Sequence, residues 1–140
     1  MKILIAVDGS PYTKRMLAYL AAHHEWLGAQ HAYTVVHGVA AIPHRAAAFL
    51  DMQQVRSYYE DDAEIVFKPI RAFFAMHDIQ AKFVLRIGPV AANIAKLAQQ
   101  GRFDLLIMGS HGHSAAAGLV MGSVATRVLS LCSTPVLLVR

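Results

Sequence analysis

Short apolar segments alternate along this chain with longer segments in which apolar residues recur every three or four positions. The short segments are rich in β-branched residues, and most are apolar on both faces, as in strands of parallel sheets covered by helices. Strands are predicted at Lys2–Val7, His31–Val39, Lys82–Ile87, Phe103–Gly109 and Pro135–Val139. The third is more polar and is expected at an edge. Strand–helix alternation that ends on a strand predicts a doubly wound α/β fold.

The connecting segments carry the signals of helix starts and ends. The first helix is expected to begin with Ser10 as its cap and Pro11 at its first position, and to close at Gly28. A long helix with one apolar face is predicted from Met52 to His77, with a kink or break just before Pro69, because proline removes a helical hydrogen bond. The remaining helices are predicted over Pro89–Gln100 and from near Ser123 to a point before Pro135.

The composition favours one folded domain over residues 1–140. Of these 140 residues, 56% are hydrophobic and 16% are charged, which excludes intrinsic disorder and a coiled coil. The apolar runs are too short for a membrane span, and the first one is too short for a signal peptide. Cys132 is the single cysteine, so an internal disulfide and a cysteine-based zinc site are excluded. We therefore expect a cytoplasmic protein with no membrane partner.

The net charge of +4 arises from 13 Lys and Arg against 9 Asp and Glu. The basic residues are scattered along the chain, whereas nucleic-acid-binding proteins usually cluster them with aromatic residues. The charge balance therefore argues against a nucleic-acid partner, although it suits an anionic small ligand.

Two strand ends carry unusual residues, and both belong to the predicted sheet. The first strand is followed by Asp8, Gly9 and Ser10, and the fourth opens the pattern G-x2-G-x9-G-[ST] through Gly109, Gly112, Gly122 and Ser123. If the winding reverses between these strands, their ends are neighbours and form the expected ligand crevice. Glycines let a backbone take left-handed or crowded conformations beside a polyphosphate, and the following helix points its positive end there. The alternative is a flexible loop with a serine cap.

These residues resemble the universal stress protein family, and the likeness extends over essentially the whole chain. Residues 2–10 resemble that family's first strand and turn, residues 103–112 its fourth strand and loop, and residues 122–124 and 133–139 its closing helix and strand. The resemblance implies a five-stranded parallel sheet ordered 3-2-1-4-5 with helices on both faces. It further implies adenine-nucleotide binding, since the ATP-binding branch retains the glycine pattern. A dimer through Pro135–Val139 is also implied, and this uncharged edge strand favours pairing with a second copy.

The resemblance assigns roles to residues by position. Asp8 would lie beside the ribose or a phosphate-bound Mg²⁺, Gly38 would face the adenine edge, and the glycine-rich loop would wrap the ribose and phosphates. The expected nucleotide-binding residues are Ala6, Val7, Asp8, Gly38, Met108, Gly109, Ser110, His111, Gly112, His113, Gly122, Ser123 and Val124. Family members often carry Arg or Lys where this chain has His113, so permanent positive charge near the phosphates is reduced.

The predicted function is an ATP-binding stress protein that acts as a nucleotide-dependent sensor or switch. Hydrolysis is expected to be slow or absent, because no P-loop motif and no catalytic residue set occur. One alternative is a dimeric interaction protein of the same fold that binds no nucleotide, and another is an α/β enzyme or flavin carrier. Asp8 could instead only cap the turn after its strand. His111 and His113 could face phosphates, bind a metal as a pair or lie exposed in the loop.

Overall fold

The computed structural model describes residues 1–113 and 120–140. The elements in chain order are β1 (Lys2–Val7), α1 (Pro11–Ala22), α2 (His24–Leu27), β2 (Ala32–Val39), α3 (His44–Ala47), α4 (Met52–Met76), β3 (Ala81–Ile87), α5 (Val90–Gln100), β4 (Leu105–Gly109), α6 (Ser123–Leu131) and β5 (Val136–Val139). The five strands are parallel and ordered β3-β2-β1-β4-β5. This confirms the predicted sheet, with β3 at an edge and the winding reversed between β1 and β4.

Helices cover both faces of the sheet, and the alternation of β1 side chains distributes the core between two layers. Ile3 and Ile5 pack toward α1 and α4 on one face. Leu4 and Ala6 pack toward α5 and α6 on the other face. All four side chains are buried, so β1 is the central strand of the molecule. The expected two-sided burial of this apolar strand is confirmed.

The first helical segment is interrupted, and the prediction of one helix reaching Gly28 is wrong. α1 ends at Ala22, and α2 begins two residues later at His24. The Nδ1 atom of His23 lies 2.8 Å from the carbonyl oxygen of Tyr19. The backbone N–H of His23 is shared between the carbonyls of Tyr19 and Leu20. The side chain thus competes with the backbone for a helical acceptor, which favours a helix end at this residue.

The expected side-chain cap by Ser10 is also wrong. Ser10 occupies the N-cap position of α1, but its hydroxyl makes no capping hydrogen bond. The turn is held from the strand side, because the N–H of Ser10 donates to Asp8 Oδ1 at 2.9 Å and the hydroxyl of Thr13 donates to the same oxygen at 3.0 Å. Asp8 therefore stabilises the turn before α1, a role that the sequence analysis gave to Ser10.

The long helix α4 runs through Pro69 without a break. Its start is fixed by a capping box, in which Gln54 N–H donates to Asp51 Oδ1 at 2.7 Å and Asp51 N–H donates to Gln54 Oε1 at 3.0 Å. Pro69 and Ile65, whose carbonyl loses its helical donor, are both on the exposed side of the helix. Water can satisfy that carbonyl, so the helix continues. No helix within the described residues is long and apolar enough to cross a membrane.

Candidate functional site

A cavity of about 300 Å³ lies where the carboxyl ends of β1 and β4 meet the layer formed by α5 and α6. Its lining residues are Ala6, Val7, Asp8, Thr13, Gly38, Val90, Ile94, Met108, Gly109, His111, Gly112, His113, Gly122, Ser123, Val124 and Ala125. The register pairs Ala6 with Met108, so these two neighbouring strands form the floor. The cavity occupies the reversal point at which open α/β sheets bind their ligands.

The structure brings all the predicted site residues except Ser110 into the wall of this cavity. Ser110 is buried beside it and supports the loop. Its N–H donates to the carbonyl of Val139 and its carbonyl accepts from the N–H of Gly122, both at 2.8 Å. Ser110 thereby ties the first part of the glycine-rich loop to β5 and to the start of α6.

The lining includes residues that the sequence did not single out: Thr13, Val90, Ile94 and Ala125. Val90 and Ile94 are one helical turn apart on α5, and Ala125 follows Ser123 on α6. Their apolar character and helical spacing are those of ordinary core residues. No local pattern distinguishes a helix face that borders a cavity from one that packs against the sheet.

The two sides of the cavity differ in chemistry. The β2 and α5 side is apolar, with Gly38 lying against Val90 and Ile94 nearby. The opposite side carries the loop glycines and the start of α6, where no side chain caps the helix. The first N–H groups of a helix have no partner within the helix, and they favour negatively charged groups. The cavity can therefore accept a ligand with an apolar ring at one end and an anionic group at the other.

Crowding explains the glycines of this site. A Cβ atom on Gly112 would lie 2.6 Å from Asp8 Oδ2, one on Gly122 would lie 3.0 Å from the backbone of His111, and one on Gly38 would lie 2.7 Å from Val90 Cγ1. Among the described glycines, those with positive φ are Gly9 and Gly88. For Gly109, Gly112 and Gly122, close approach is therefore the reason that applies, and left-handed backbone is not.

Asp8 combines a structural role with a position on the cavity wall. Its Oδ1 atom accepts the two hydrogen bonds that hold the turn before α1. Its backbone N–H donates to Thr13 Oγ1 at 3.2 Å. Its Oδ2 atom lies against Gly112. The turn-capping interpretation of Asp8 is thus correct for one oxygen, while the other is directed to the glycine-rich loop.

The two loop histidines make different contacts. His113 Nε2 lies 2.6 Å from the carbonyl oxygen of Asp8, which links the loop to the end of β1. His111 Nδ1 lies 3.0 Å from Ser110 Oγ, and its ring centroid is 5.1 Å from that of Tyr12. Within residues 1–113 and 120–140, no group of three or more His, Cys, Asp or Glu side chains could hold a metal ion.

Comparison with known proteins identifies the family. The family model described as "Universal stress protein family" matches residues 1–140. The chain is 31% identical over 138 residues to a universal stress protein of Thermus aquaticus, covering 99% of this chain and 97% of the relative. It is 26% identical to the universal stress protein YxiE of Bacillus subtilis, with 99% and 98% of the two chains covered. The chain belongs to the universal stress protein family.

Solved structures share the fold. The structure of hypothetical protein MJ0577 superposes with a TM-score of 0.77 at 21% identity, covering 99% of this chain and 94% of that one. A family protein of Arabidopsis thaliana, with AMP bound, gives a TM-score of 0.70 at 14% identity over 99% and 90% of the chains. Other structural neighbours are a universal stress protein in complex with cAMP and one from Archaeoglobus fulgidus in complex with dAMP, each with a TM-score of 0.63.

Proposed function

We propose that this protein binds an adenine nucleotide in the cavity between β1 and β4 and acts as a nucleotide-dependent sensor or switch. The observation that carries the proposal is the division of the cavity into an apolar side at Gly38, Val90 and Ile94 and a side of loop glycines and helix amides. A purine ring fits the first environment and a phosphate fits the second. AMP, cAMP and dAMP are bound by structural neighbours with the same fold.

The residues present fit a nucleotide. A side chain at position 112 or 122 would fill space at the loop. Because Gly112 and Gly122 have none, a phosphate can approach the backbone there. The sequence pattern favours ATP, with Asp8 beside a phosphate-bound Mg²⁺. Slow or absent hydrolysis remains the expectation, because the lining offers no lysine to bridge terminal phosphates and no evident base–nucleophile pair among the described residues.

The direct test identifies the bound molecule. Protein purified without added nucleotide is denatured, and the released small molecules are separated and identified by mass. The stripped, refolded protein is then titrated with AMP, ADP and ATP, and with GMP as the control for the base. Release or saturable binding of an adenine nucleotide supports the proposal. An apoprotein that binds none of the adenine nucleotides contradicts it and favours an interaction protein that binds no nucleotide, whereas a released flavin favours a flavin carrier.

A homodimer through β5 is proposed as well. β5 pairs only with β4 in the described sheet, so its other side is an edge. The carbonyls of Pro135 and Val139 accept from β4 and the residue that follows it. Because alternate residues of a strand direct their backbone groups to opposite sides, the N–H and carbonyl groups of Val136 and Leu138 are directed to that edge. The sequence Val136–Val139 carries no charge to block pairing with a second copy.

This geometry selects the variant. Leu138→Pro removes an N–H that faces the edge and leaves the β4 ladder intact. We expect this variant to be a folded monomer in sedimentation experiments, whereas Leu138→Ala, which retains the N–H, stays dimeric. Wild-type protein that sediments as a monomer at micromolar concentration would refute the dimer and leave the nucleotide proposal unaffected.

A further inference from the structure

The cavity carries little compensating charge for a phosphate chain. Among its described lining residues, Asp8 is the only one with a formal charge at pH 7, and none is Lys or Arg. In the sequence, His113 is followed by Ser-Ala-Ala-Ala-Gly-Leu, which contains no charged residue. The anion-facing side therefore relies on backbone amides and on the imidazoles of His111 and His113.

No Lys or Arg is among the described lining residues, and the contacts or positions of three basic residues on neighbouring elements illustrate this. The guanidinium of Arg15 lies over the ring of Tyr12, 4.9 Å from its centroid. The ammonium of Lys2 donates to the carbonyl of Gly101, at the opposite end of β1. Arg127 is exposed on α6 one turn beyond Ser123 and is not a lining residue. In the described structure, the cavity thus has a formal charge of −1, in contrast to the whole chain at +4.

Neutral amides can stabilise a ligand of small charge, but each further phosphate adds negative charge that they do not balance. The Asp8 carboxylate adds repulsion between like charges. Asp8 Oδ1 is already occupied by the turn before α1, which leaves one carboxylate oxygen for a bridging cation. Mg²⁺ in nucleotide sites is usually held by one or two carboxylates together with substrate phosphates and several waters, so Asp8 alone would be the minimum protein share of such a site. The volume of about 300 Å³ is at the small end of ligand sites.

On the basis of the proposed function, we infer that this cavity selects adenine nucleotides of low charge, a nucleoside monophosphate or its cyclic diester, over the triphosphate. The preference for low charge arises because the phosphate-facing side offers uncharged backbone amides and the Asp8 carboxylate lies beside them. The ligand preference thus differs from the ATP that the glycine pattern by itself favours.

The experiment is calorimetric titration of the stripped protein with AMP, cAMP and ATP at constant ionic strength, with Mg²⁺ and separately with EDTA. We expect AMP or cAMP to bind about tenfold more tightly than ATP under both conditions. ATP binding as tight as or tighter than both others, under either condition, overturns the inference and leaves the proposed function standing. Absence of binding for all three nucleotides overturns both.

A gain-of-charge variant tests the physical cause. His113 is exposed and lies 2.6 Å from the end of β1, so His113→Lys introduces a cation beside the loop without altering the core. We expect the affinity for ATP to rise about tenfold relative to that for AMP. Gln53→Lys, an equal charge change on the exposed face of α4, is the matched control and should leave the ratio unchanged. An unchanged ratio in His113→Lys, or a ratio that changes equally in Gln53→Lys, overturns the inference.

Discussion

Two consecutive residues at the end of β2 lead into two very different environments. His37 points toward α4, where its Nδ1 lies 3.0 Å from the carbonyl of Val7 and its Nε2 lies 3.1 Å from Asp62 Oδ2. Its ring packs at its edge against Phe67. Gly38 faces α5 and borders the cavity. The same end of the sheet is therefore filled on one face and hollow on the other.

The two faces differ mainly in the size of the side chains at the strand ends. On the filled face, a large polar residue is buried, and each of its ring nitrogens lies within hydrogen-bond distance of an oxygen atom, so the buried side chain has polar partners. On the hollow face, Ala6, Gly38, Gly109 and Ala125 supply little side-chain volume, so backbone lines the space. A binding site can thus be created by leaving out side chains at the strand ends of one layer.

The largest effect is expected on the hollow face, from Gly112→Val. Its Cβ would lie 2.6 Å from Asp8 Oδ2, and its branches would occupy the loop beside the proposed phosphate position. Affinity for the adenine nucleotide that the wild type binds should fall by at least about a hundredfold, equivalent to about 2.7 kcal/mol. Calorimetry measures the affinity, and circular dichroism verifies that the variant remains folded. Ala41→Val, on an exposed loop, is the control, and unchanged affinity in Gly112→Val would remove this glycine from the site.

The second effect is expected on the filled face, from His37→Ala. The substitution leaves a void against Phe67 and removes a side-chain partner of the Val7 carbonyl. The free energy of unfolding should decrease by about 2 kcal/mol, as measured by denaturant titration. Nucleotide affinity of the folded protein should change less than about threefold, because the imidazole faces the opposite layer. A loss of affinity as large as that of Gly112→Val would show that the two faces are not independent.

The smallest effect concerns Tyr33, which also lies on the filled face. Its hydroxyl donates to the carbonyl of Leu27 at 2.5 Å, with that of Gly28 at 3.1 Å, and burial raises its pKa to about 12. Tyr33→Phe should lower the free energy of unfolding by about 1 kcal/mol at pH 7. The neutral phenol contributes to the free energy of unfolding in full at pH values below 10.0, the ordinary pKa of a tyrosine. This contribution is lost as the pH rises from 10.0 toward the folded-state pKa of about 12.

Denaturant titrations of wild type and Tyr33→Phe at several pH values measure this contribution. The difference in stability between the two proteins should be constant from pH 7 to 9 and decrease above pH 10. Taking the difference between the two proteins cancels the contributions of the other titrating tyrosines and lysines, which both proteins share. A difference that stays constant up to pH 11 would contradict the assigned burial of this phenol.

Much of the fold was predictable from local patterns. The bounds of β1 were predicted without error, because Lys2 and Asp8 flank an uninterrupted apolar run. The more polar third strand was correctly expected at an edge, since a strand with one free side need not be apolar throughout. The break at His23 was missed because it depends on a side chain that competes for the carbonyl of Tyr19, which periodicity does not reveal.

For the candidate site, the sequence by itself determined which residues follow the ends of β1 and β4 and where the glycines fall. These are local features, since strand ends and glycine spacing are read directly along the chain. Only the tertiary structure decided that Val90 and Ile94 complete the wall, that Asp8 rather than Ser10 holds the turn, and that Gly112 is required by the Asp8 carboxylate. Each of these depends on the distance between atoms that the packing of helices on the sheet brings together.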